Sequence, residues 1–117
     1  MKPKVILVCG GRKFNDRAYI RRKLEECLPF FDDNFVIVQG DANGVDWQAK
    51  AWAIENGHPV ISMTAAWDFY GNNAGNIRNN WMLHFTKPDL VIAFPGGSGT
   101  ADMTKQAKSA GVTVYAC

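Results

Sequence analysis

One segment of the 117-residue chain, residues 89–100, constrains the fold more strongly than any other. It begins with an apolar run that is typical of a buried strand. The sequence Pro95-Gly96-Gly97-Ser98-Gly99-Thr100 then forms a glycine-rich turn and leads into a helical pattern. The first N–H groups of a helix have no partner within the helix, and they carry a partial positive charge. The segment therefore predicts a strand, a turn and a helix N-terminus that binds an anion such as phosphate.

Apolar runs and helical patterns alternate along the whole chain. We predict strands at about 5–9, 35–38, 59–63, 89–94 and 112–115, and helices at about 17–28, 44–56, 74–85 and 99–110. Apolar strands that alternate with helices are typical of a parallel sheet covered on both sides. Because crossovers are right-handed, few arrangements remain. The prediction is one α/β domain over residues 1–117, with a Rossmann-like, doubly wound, parallel five-stranded sheet of order 3-2-1-4-5 and helices on both faces.

In this strand order the sheet reverses its direction of growth between the first and fourth strands. Ligands of such sheets bind beyond the carboxyl ends of those two strands. The turn Gly10-Gly11-Arg12 follows the first strand, and the turn at 95–100 follows the fourth. We therefore expect both turns to line one crevice. Arg12 is expected at its mouth, as a forked donor to a phosphate or a base edge.

Helix caps can be predicted from short polar side chains at the helix starts. Asp16 is expected to cap the first helix, and Ser98 and Thr100 are suitable caps for the last. Their hydroxyl groups are also expected to reach phosphate oxygens.

The helix at about 74–85 and the connection before it carry many aromatic residues. Helical spacing predicts that Ile77, Trp81 and either His84 or Phe85 face the core. The connection 64–73 is expected to be a long loop, and such loops in small domains are more often functional than idle.

Two familiar phosphate-binding motifs are absent from the sequence. A P-loop places a lysine directly after its last glycine, whereas the first lysine after this turn is Lys105. The dinucleotide fingerprint follows the first strand, whereas Gly97-Ser98-Gly99 follows the fourth. A Walker-type NTPase and a standard NAD(P) dehydrogenase are therefore not expected.

Charge and cysteine content restrict the partners and the compartment. The formal net charge is only +2, which makes nucleic acid an unlikely partner. The three cysteines are scattered and form no CxxC motif, as is common in a reducing cytoplasm. No window reaches the roughly 18 apolar residues of a membrane span, so we expect no membrane partner.

Five segments together resemble a known superfamily. They are Gly10-Gly11-Arg12-Lys13-Phe14, Gly40-Asp41-Ala42-Asn43-Gly44-Val45-Asp46, Ala65-Ala66-Trp67-Asp68-Phe69-Tyr70-Gly71, Ala74-Gly75-Asn76-Ile77-Arg78-Asn79-Asn80-Trp81-Met82, and the turn at 95–100. The chain resembles the SLOG superfamily, which includes the LOG phosphoribohydrolases and the DNA-processing protein A fold, and within it the small YspA-type (YpsA-related) family of bacteria and phages. The resemblance implies a small-molecule nucleotide or derivative as partner and a bacterial or phage-infected cytoplasm. Paired subunits are common among the relatives, so a homo-oligomer is an expectation.

The predicted ligand-binding residues lie on the loops that face the crevice. They are Gly10, Gly11, Arg12, Gly40, Asp41, Asp46, Trp67, Arg78, Asn79, Pro95, Gly96, Gly97, Ser98, Gly99 and Thr100. Arg78 is included because LOG-like enzymes carry a functional arginine in the corresponding helix. His58 and His84 stand alone without ligand spacing, so no metal site is predicted. The nucleotide-type ligand is the only small molecule expected, with no further cofactor.

Several of these residues have a second interpretation. Asp41 and Asp46 frame Gly44 and suit a helix start, but they are also suited to bind ribose hydroxyls or to act in catalysis. Trp67 and Tyr70 could stack on a base or pack the loop against the domain. Asp46, Asp41 and Arg78 are the candidates for a catalytic role.

The position after the turn bears on whether the chain is an enzyme. The LOG motif PGGxGTxxE supplies a glutamate where this chain has Met103, and a thioether cannot accept a proton as a carboxylate does. Asp102 lies about 100° away around the helix and should point elsewhere. The leading hypothesis is therefore a protein that binds a nucleotide or a nucleotide-derived ligand, for example an NAD- or ADP-ribose-like molecule, to sense or sequester it. The alternatives are a LOG-like N-glycosidic hydrolase of nucleoside 5′-monophosphates and a single-stranded DNA-binding module.

Overall fold

The computed structural model describes residues 3–31 and 34–117. Five strands alternate with helices: β1 (Lys4–Cys9), β2 (Phe35–Gln39), β3 (Val60–Ser62), β4 (Leu90–Ala93) and β5 (Val114–Ala116). The helices are α1 (Arg17–Cys27), α2 (Val45–Glu55), α3 (Trp67–Tyr70), α4 (Ala74–Thr86) and α5 (Ser98–Ser109), with 3-10 turns at Leu28–Phe30 and Gly71–Asn73. The main elements begin and end within two residues of the predicted limits.

The strands form one parallel sheet in the order β3-β2-β1-β4-β5. The predicted α/β fold and its strand order are therefore confirmed. Cys9, the last residue of β1, is in register with Ala93, the last residue of β4. Because both strands end at the same level, the turns that follow them leave the sheet side by side.

Helices cover both faces of the sheet, as predicted. Side chains of β1 alternate between the faces: Ile6 and Val8 pack with α1 and α2, whereas Leu7 and Cys9 pack with α4 and α5. Trp52 of α2 is 1% exposed and is the largest side chain in the core between the sheet and helices α1 and α2. Full burial of so large an apolar side chain is worth several kcal/mol, so it anchors α2 and the turn that precedes it.

The start of α1 confirms the predicted cap. The carboxylate of Asp16 accepts a hydrogen bond from the Tyr19 N–H at 3.2 Å. The connection at 64–73 is not the continuous loop that was expected, because it contains α3 and the following 3-10 turn. The carbonyl of Ala66 accepts hydrogen bonds from the N–H groups of Phe69 and Tyr70, which closes this short helix.

The prediction for the buried face of α4 is wrong. The aromatic side chains of Trp81 and Phe85 are 38% and 74% exposed, His84 is exposed, and Ile77 is only half-buried. The buried residues of α4 are Ala74, Gly75, Asn79, Met82 and Leu83. Met82 and Leu83 reach the sheet, and Asn79 is drawn inward by hydrogen bonds to α5. These tertiary contacts rotate α4 so that its most apolar stripe faces away from the sheet.

Candidate functional site

The turns after β1 and β4 are bound to each other. The Gly11 N–H donates to the Pro95 carbonyl at 2.8 Å, and the Val45 N–H at the start of α2 donates to the Gly11 carbonyl at 3.3 Å. These turns border a crevice of about 890 Å³ at the carboxyl edge of the sheet. That volume lies within the range of sites for small molecules. Of the predicted ligand-binding residues, all except Asp41 line the crevice.

The N-terminus of α5 faces this crevice without a side-chain cap. Gly97 is the N-cap residue, so no cap side chain accepts a hydrogen bond from the N–H groups of the first turn. The prediction that Ser98 or Thr100 acts as the cap is therefore wrong, because the helix begins at Ser98 itself. Pro95 to Gly99 are exposed. A Cβ atom at Gly97 or Gly99 would meet nothing within 4 Å, so the space above these residues is open. The arrangement leaves backbone donors and the positive end of the helix dipole free for an anion.

Arg78 enters the crevice from α4 and is held in place by two hydrogen bonds. Its Nη1 donates to the Gly40 carbonyl at 2.8 Å, and its Nε donates to Oδ1 of Asn79 at 3.1 Å. A Cβ atom at Gly40 would lie 2.6 Å from the Arg78 Cζ, so a larger residue there would displace the guanidinium. Burial lowers the pKa of Arg78, but the group stays charged because guanidinium pKa values are very high. Arg78 is thus a fixed cation in the site.

Asn79 connects Arg78 to the start of α5. Its side-chain amide donates to the Gly99 carbonyl at 3.1 Å and to the Asp102 carboxylate at 3.0 Å. Both amide protons are therefore used, and Oδ1 accepts from Arg78. Asn79 lines the crevice as predicted. Its side-chain amide already hydrogen-bonds to neighbouring protein groups, and it therefore positions those groups.

Asp46 is a buried carboxylate at the first turn of α2. Its side chain is 6% exposed and accepts a hydrogen bond from the Ala42 N–H at 3.3 Å. Burial raises the pKa of Asp46 from the ordinary 3.8 to about 6, while hydrogen bonds and the charge of Arg78 limit the rise. Asp46 is therefore mostly ionised at neutral pH. Its pKa is close enough to 7 for the carboxyl group to exchange a proton there.

This shift predicts how stability depends on pH. Between about pH 4 and pH 6 the folded protein holds a proton on Asp46 that the unfolded chain has released, so the free energy of unfolding falls as pH rises through that window. Asp46→Asn should remove this dependence. It should raise the free energy of unfolding at pH 8 by up to about 3 kcal/mol and leave it unchanged at pH 3. Urea denaturation of both proteins across this pH range would measure the difference, and an offset that does not vary with pH would contradict it.

Asp41 lies outside the crevice. Its backbone is in the left-handed region, with φ 58°, and its N–H donates to Oε1 of the fully buried Gln39. The carboxylate of Asp41 is paired with Lys50 at 3.2 Å. Sequence reasoning missed Gln39, whose amide also donates to the Ser62 hydroxyl. The one available signal was a glutamine at the end of an otherwise apolar strand.

The Arg12 guanidinium packs over the Trp67 ring at the mouth of the crevice. The Arg12 guanidinium carbon lies 4.9 Å from the centre of the Trp67 ring. The ring also lies over Gly75, where a Cβ atom would be 3.3 Å from Trp67 Cη2. Trp67 therefore packs against α4 and also lines the crevice. Tyr70 packs instead against Trp81, with 5.9 Å between ring centres.

Cys9 lines the crevice at the end of β1, and Met103 lies in the core on the same side of the sheet. Burial raises the pKa of the Cys9 thiol to about 12, which keeps it protonated and unreactive as a nucleophile. Met103 is fully buried and packs against the sheet with Leu7 and Ala107. Asp102 accepts hydrogen bonds from Asn79 and from Gln106 at 2.7 Å, so it points away from the crevice as predicted.

Across 3–31 and 34–117, no three histidine, cysteine or acidic side chains come together as a metal site would require. Within the same ranges, no helix has the length and apolar character needed to cross a membrane.

Comparison with known protein families shows which family this chain belongs to. Residues 4–70, more than half of the sequence, match the model of the YspA, cpYpsA-related SLOG family (YAcAr). The chain belongs to this SLOG family. It is also 31% identical to the Gene 61 protein of Mycobacterium phage D29 over 116 residues, covering 93% of this chain and 92% of that protein.

Solved structures show the same SLOG-type fold. DNA processing protein A (DprA) from Streptococcus pneumoniae superposes with a TM-score of 0.73 and 23% identity, over 97% of this chain and 50% of that one. This chain thus spans half the length of that protein. The Moco carrier protein from Chlamydomonas reinhardtii gives a TM-score of 0.66 with 17% identity, over 97% and 75% of the two chains. At these identities the likeness concerns the fold alone.

Proposed function

We propose that this protein binds a nucleotide or nucleotide-derived molecule, of the NAD or ADP-ribose type, in the crevice between β1 and β4. The observation that carries the proposal is the uncapped N-terminus of α5, which shares one crevice with Arg12 and Arg78. Free backbone N–H groups together with guanidinium groups are suited to bind a phosphate. The neighbouring proteins of the same fold include a carrier of a small cofactor, which is consistent with a binding role.

Each part of the ligand has a counterpart in the crevice. The phosphate would accept hydrogen bonds from the N–H groups at 97–100 and a forked contact from a guanidinium. The base would lie against Trp67, a residue that is 44% exposed. Asp46 would accept a hydrogen bond from a ribose hydroxyl, as carboxylates do in dinucleotide sites. In this proposal the protein acts in the cytoplasm as a sensor of the ligand or as a protein that sequesters it.

A second candidate function is hydrolysis of an N-glycosidic bond. One observation favours it: the buried Asp46 lines the crevice beside Arg78, with its pKa raised to about 6. Such a carboxyl can accept or donate a proton near neutral pH. The residue that takes the place of the LOG glutamate, Met103, is buried in the core and cannot perform this step. Hydrolysis would therefore depend on Asp46.

Native purification followed by mass spectrometry tests the binding proposal directly. A co-purified molecule that carries phosphate and ribose would support it. The protein should also be stabilised against heat by AMP, ADP-ribose or NAD. Absence of both a bound molecule and a thermal shift with all three compounds would contradict the proposal.

Release of free base separates the two functions. Incubation with AMP, ADP-ribose and NAD should leave all three intact if the protein only binds. If base is released, and Asp46→Asn stops the release while thermal stabilisation persists, the hydrolase is supported. An oligonucleotide of single-stranded DNA in the same assay tests the third hypothesis, for which no shift is expected at the low net charge of the chain.

A further inference from the structure

A groove of about 540 Å³ runs along the outer side of α5 and continues the crevice. Gly96, Gly97 and Thr100 line both the crevice and this groove, here called the α5 groove. The other residues of the α5 groove come from the following turns of the helix: Ala101, Thr104, Lys105, Lys108 and Ser109. The start of α5 is therefore the boundary between the two spaces, and a ligand bound there has room to extend out of the crevice.

Helical spacing explains why the residues of the α5 groove share one face. Ala101 and Lys105 follow Gly97 by four and eight residues, and Thr104 and Lys108 extend the same stripe. Because the first two residues of the stripe are glycine and alanine, backbone and one methyl group form the floor next to the turn. The backbone of Lys105 lies about 12 Å further along the helix axis than Gly97. The groove thus has an open beginning and a cationic end.

The charge of the α5 groove is positive. Lys105 and Lys108 are exposed, and neither takes part in the salt bridges between described residues. Among the described residues that line the groove, none is acidic. Long side chains of a helix point back towards its N-terminus, so both ammonium groups are directed towards the turn at 95–100. Since like charges three residues apart on a helix repel each other, an anion in the groove would stabilise the pair.

We infer that the ligand of the crevice carries a chain of two or more phosphate groups, and that the α5 groove binds the phosphates beyond the first. The inference rests on the proposed function, in which the N–H groups at 97–100 hold the first phosphate. From there the chain would cross Gly97 and Ala101, and its later phosphates would bind the ammonium groups of Lys105 and Lys108. The ligand class is thus a nucleoside diphosphate, a nucleoside triphosphate or a derivative of one, and not a monophosphate.

Calorimetric titration with AMP, ADP and ATP tests this inference. ADP and ATP should bind roughly tenfold more tightly than AMP, because the additional phosphates gain charge-assisted hydrogen bonds. Lys105→Gln and Lys108→Gln should each remove part of that gain and leave the affinity for AMP nearly unchanged. Lys87→Asn is the matched control, because Lys87 follows α4 and lines neither the crevice nor the α5 groove. Asparagine also suits the left-handed backbone of that residue, with φ 48°.

Ala101→Glu tests the path between the turn and the lysines. The new carboxylate would lie on the floor of the α5 groove, four residues before Lys105, where it pairs with the ammonium group and repels a phosphate chain. ADP and ATP should therefore lose more affinity than AMP. Ala101→Gln, which has nearly the same shape and no charge, should cause a smaller loss. Equal losses for AMP and ATP in Ala101→Glu would overturn the proposed path.

Inorganic tripolyphosphate separates failure of this inference from failure of the proposed function. Tripolyphosphate binding that Lys105→Gln weakens, together with no binding of any nucleotide, would support the α5 groove and contradict the proposed function. AMP, ADP and ATP binding with equal affinity would leave the proposed function intact and overturn the inference, as would lysine variants that weaken AMP and ATP equally. A single-stranded oligonucleotide that binds more tightly than ATP through the same lysines would also overturn it. Absence of binding by every probe would overturn both.

Discussion

Gly97→Asp is expected to abolish stabilisation of the protein by a phosphate-bearing nucleotide. A Cβ atom at Gly97 meets nothing within 4 Å, so the side chain fits without disturbing the fold. It would place a carboxylate at the N-terminus of α5, where the proposed phosphate binds. Repulsion between two such charges in a partly screened site costs about 3 kcal/mol, so affinity should fall by roughly a hundredfold or more. Calorimetric titration with AMP and ADP-ribose measures the loss.

Gly97→Asn is the matched control for that variant. Asparagine has nearly the same shape and no charge, so it separates repulsion from crowding. The neutral variant should keep much more affinity than the charged one, and without ligand both should unfold at or slightly above the temperature of the original protein, because aspartate and asparagine are good N-cap residues. Equal binding by Gly97→Asp and the unchanged chain would place the phosphate away from α5.

Gly44→Ala is expected to cause the largest loss of stability among single glycine substitutions. Gly44 has φ 78°, and a Cβ atom there would overlap the Gly11 carbonyl and lie 2.5 Å from the Arg12 carbonyl oxygen. The strained backbone and the forced separation of α2 from the turn at 10–12 together cost about 2–4 kcal/mol. Urea denaturation would measure this change. Because the displaced turn lines the crevice, nucleotide binding should weaken as well.

Gly57→Ala measures the cost of a positive φ at a position where nothing crowds the new side chain. Gly57 has φ 76°, almost the same as Gly44, but a Cβ atom there would meet nothing within 4 Å. Its substitution should therefore cost only about 1 kcal/mol and leave nucleotide binding intact. If both variants lose the same stability, the close approach of α2 to the turn after β1 contributes nothing.

The sheet and the crevice could be predicted because they depend on local signals. Apolar runs mark the strands, glycine-rich turns follow β1 and β4, and right-handed crossovers then fix the strand order. Every predicted ligand-binding residue that lies in or directly after these turns lines the crevice. Asp41 does not, because the buried Gln39 holds its backbone in the left-handed region and Lys50 attracts its carboxylate.

The orientation of α4 could not be predicted from its own sequence. Ile77, Trp81 and Phe85 have the spacing of a buried stripe, but hydrogen bonds from Asn79 to Gly99 and Asp102 turn a polar position inward. Such bonds join residues about 20 positions apart, so no helical periodicity reveals them. The N-cap of α5 was also predicted wrongly. It is Gly97, and Ser98 lies one residue inside the helix.

Amide chemical shifts of the turn at 95–100 provide the most direct test of the proposed site. In a titration of the isotopically labelled protein with AMP or ADP-ribose, the N–H signals of Gly97, Ser98, Gly99 and Thr100 should show the largest changes, because these donors would contact the phosphate. Adenosine, which lacks the phosphate, should leave them nearly unchanged. Changes of equal size with adenosine, or the largest changes outside the crevice, would contradict phosphate binding at the N-terminus of α5.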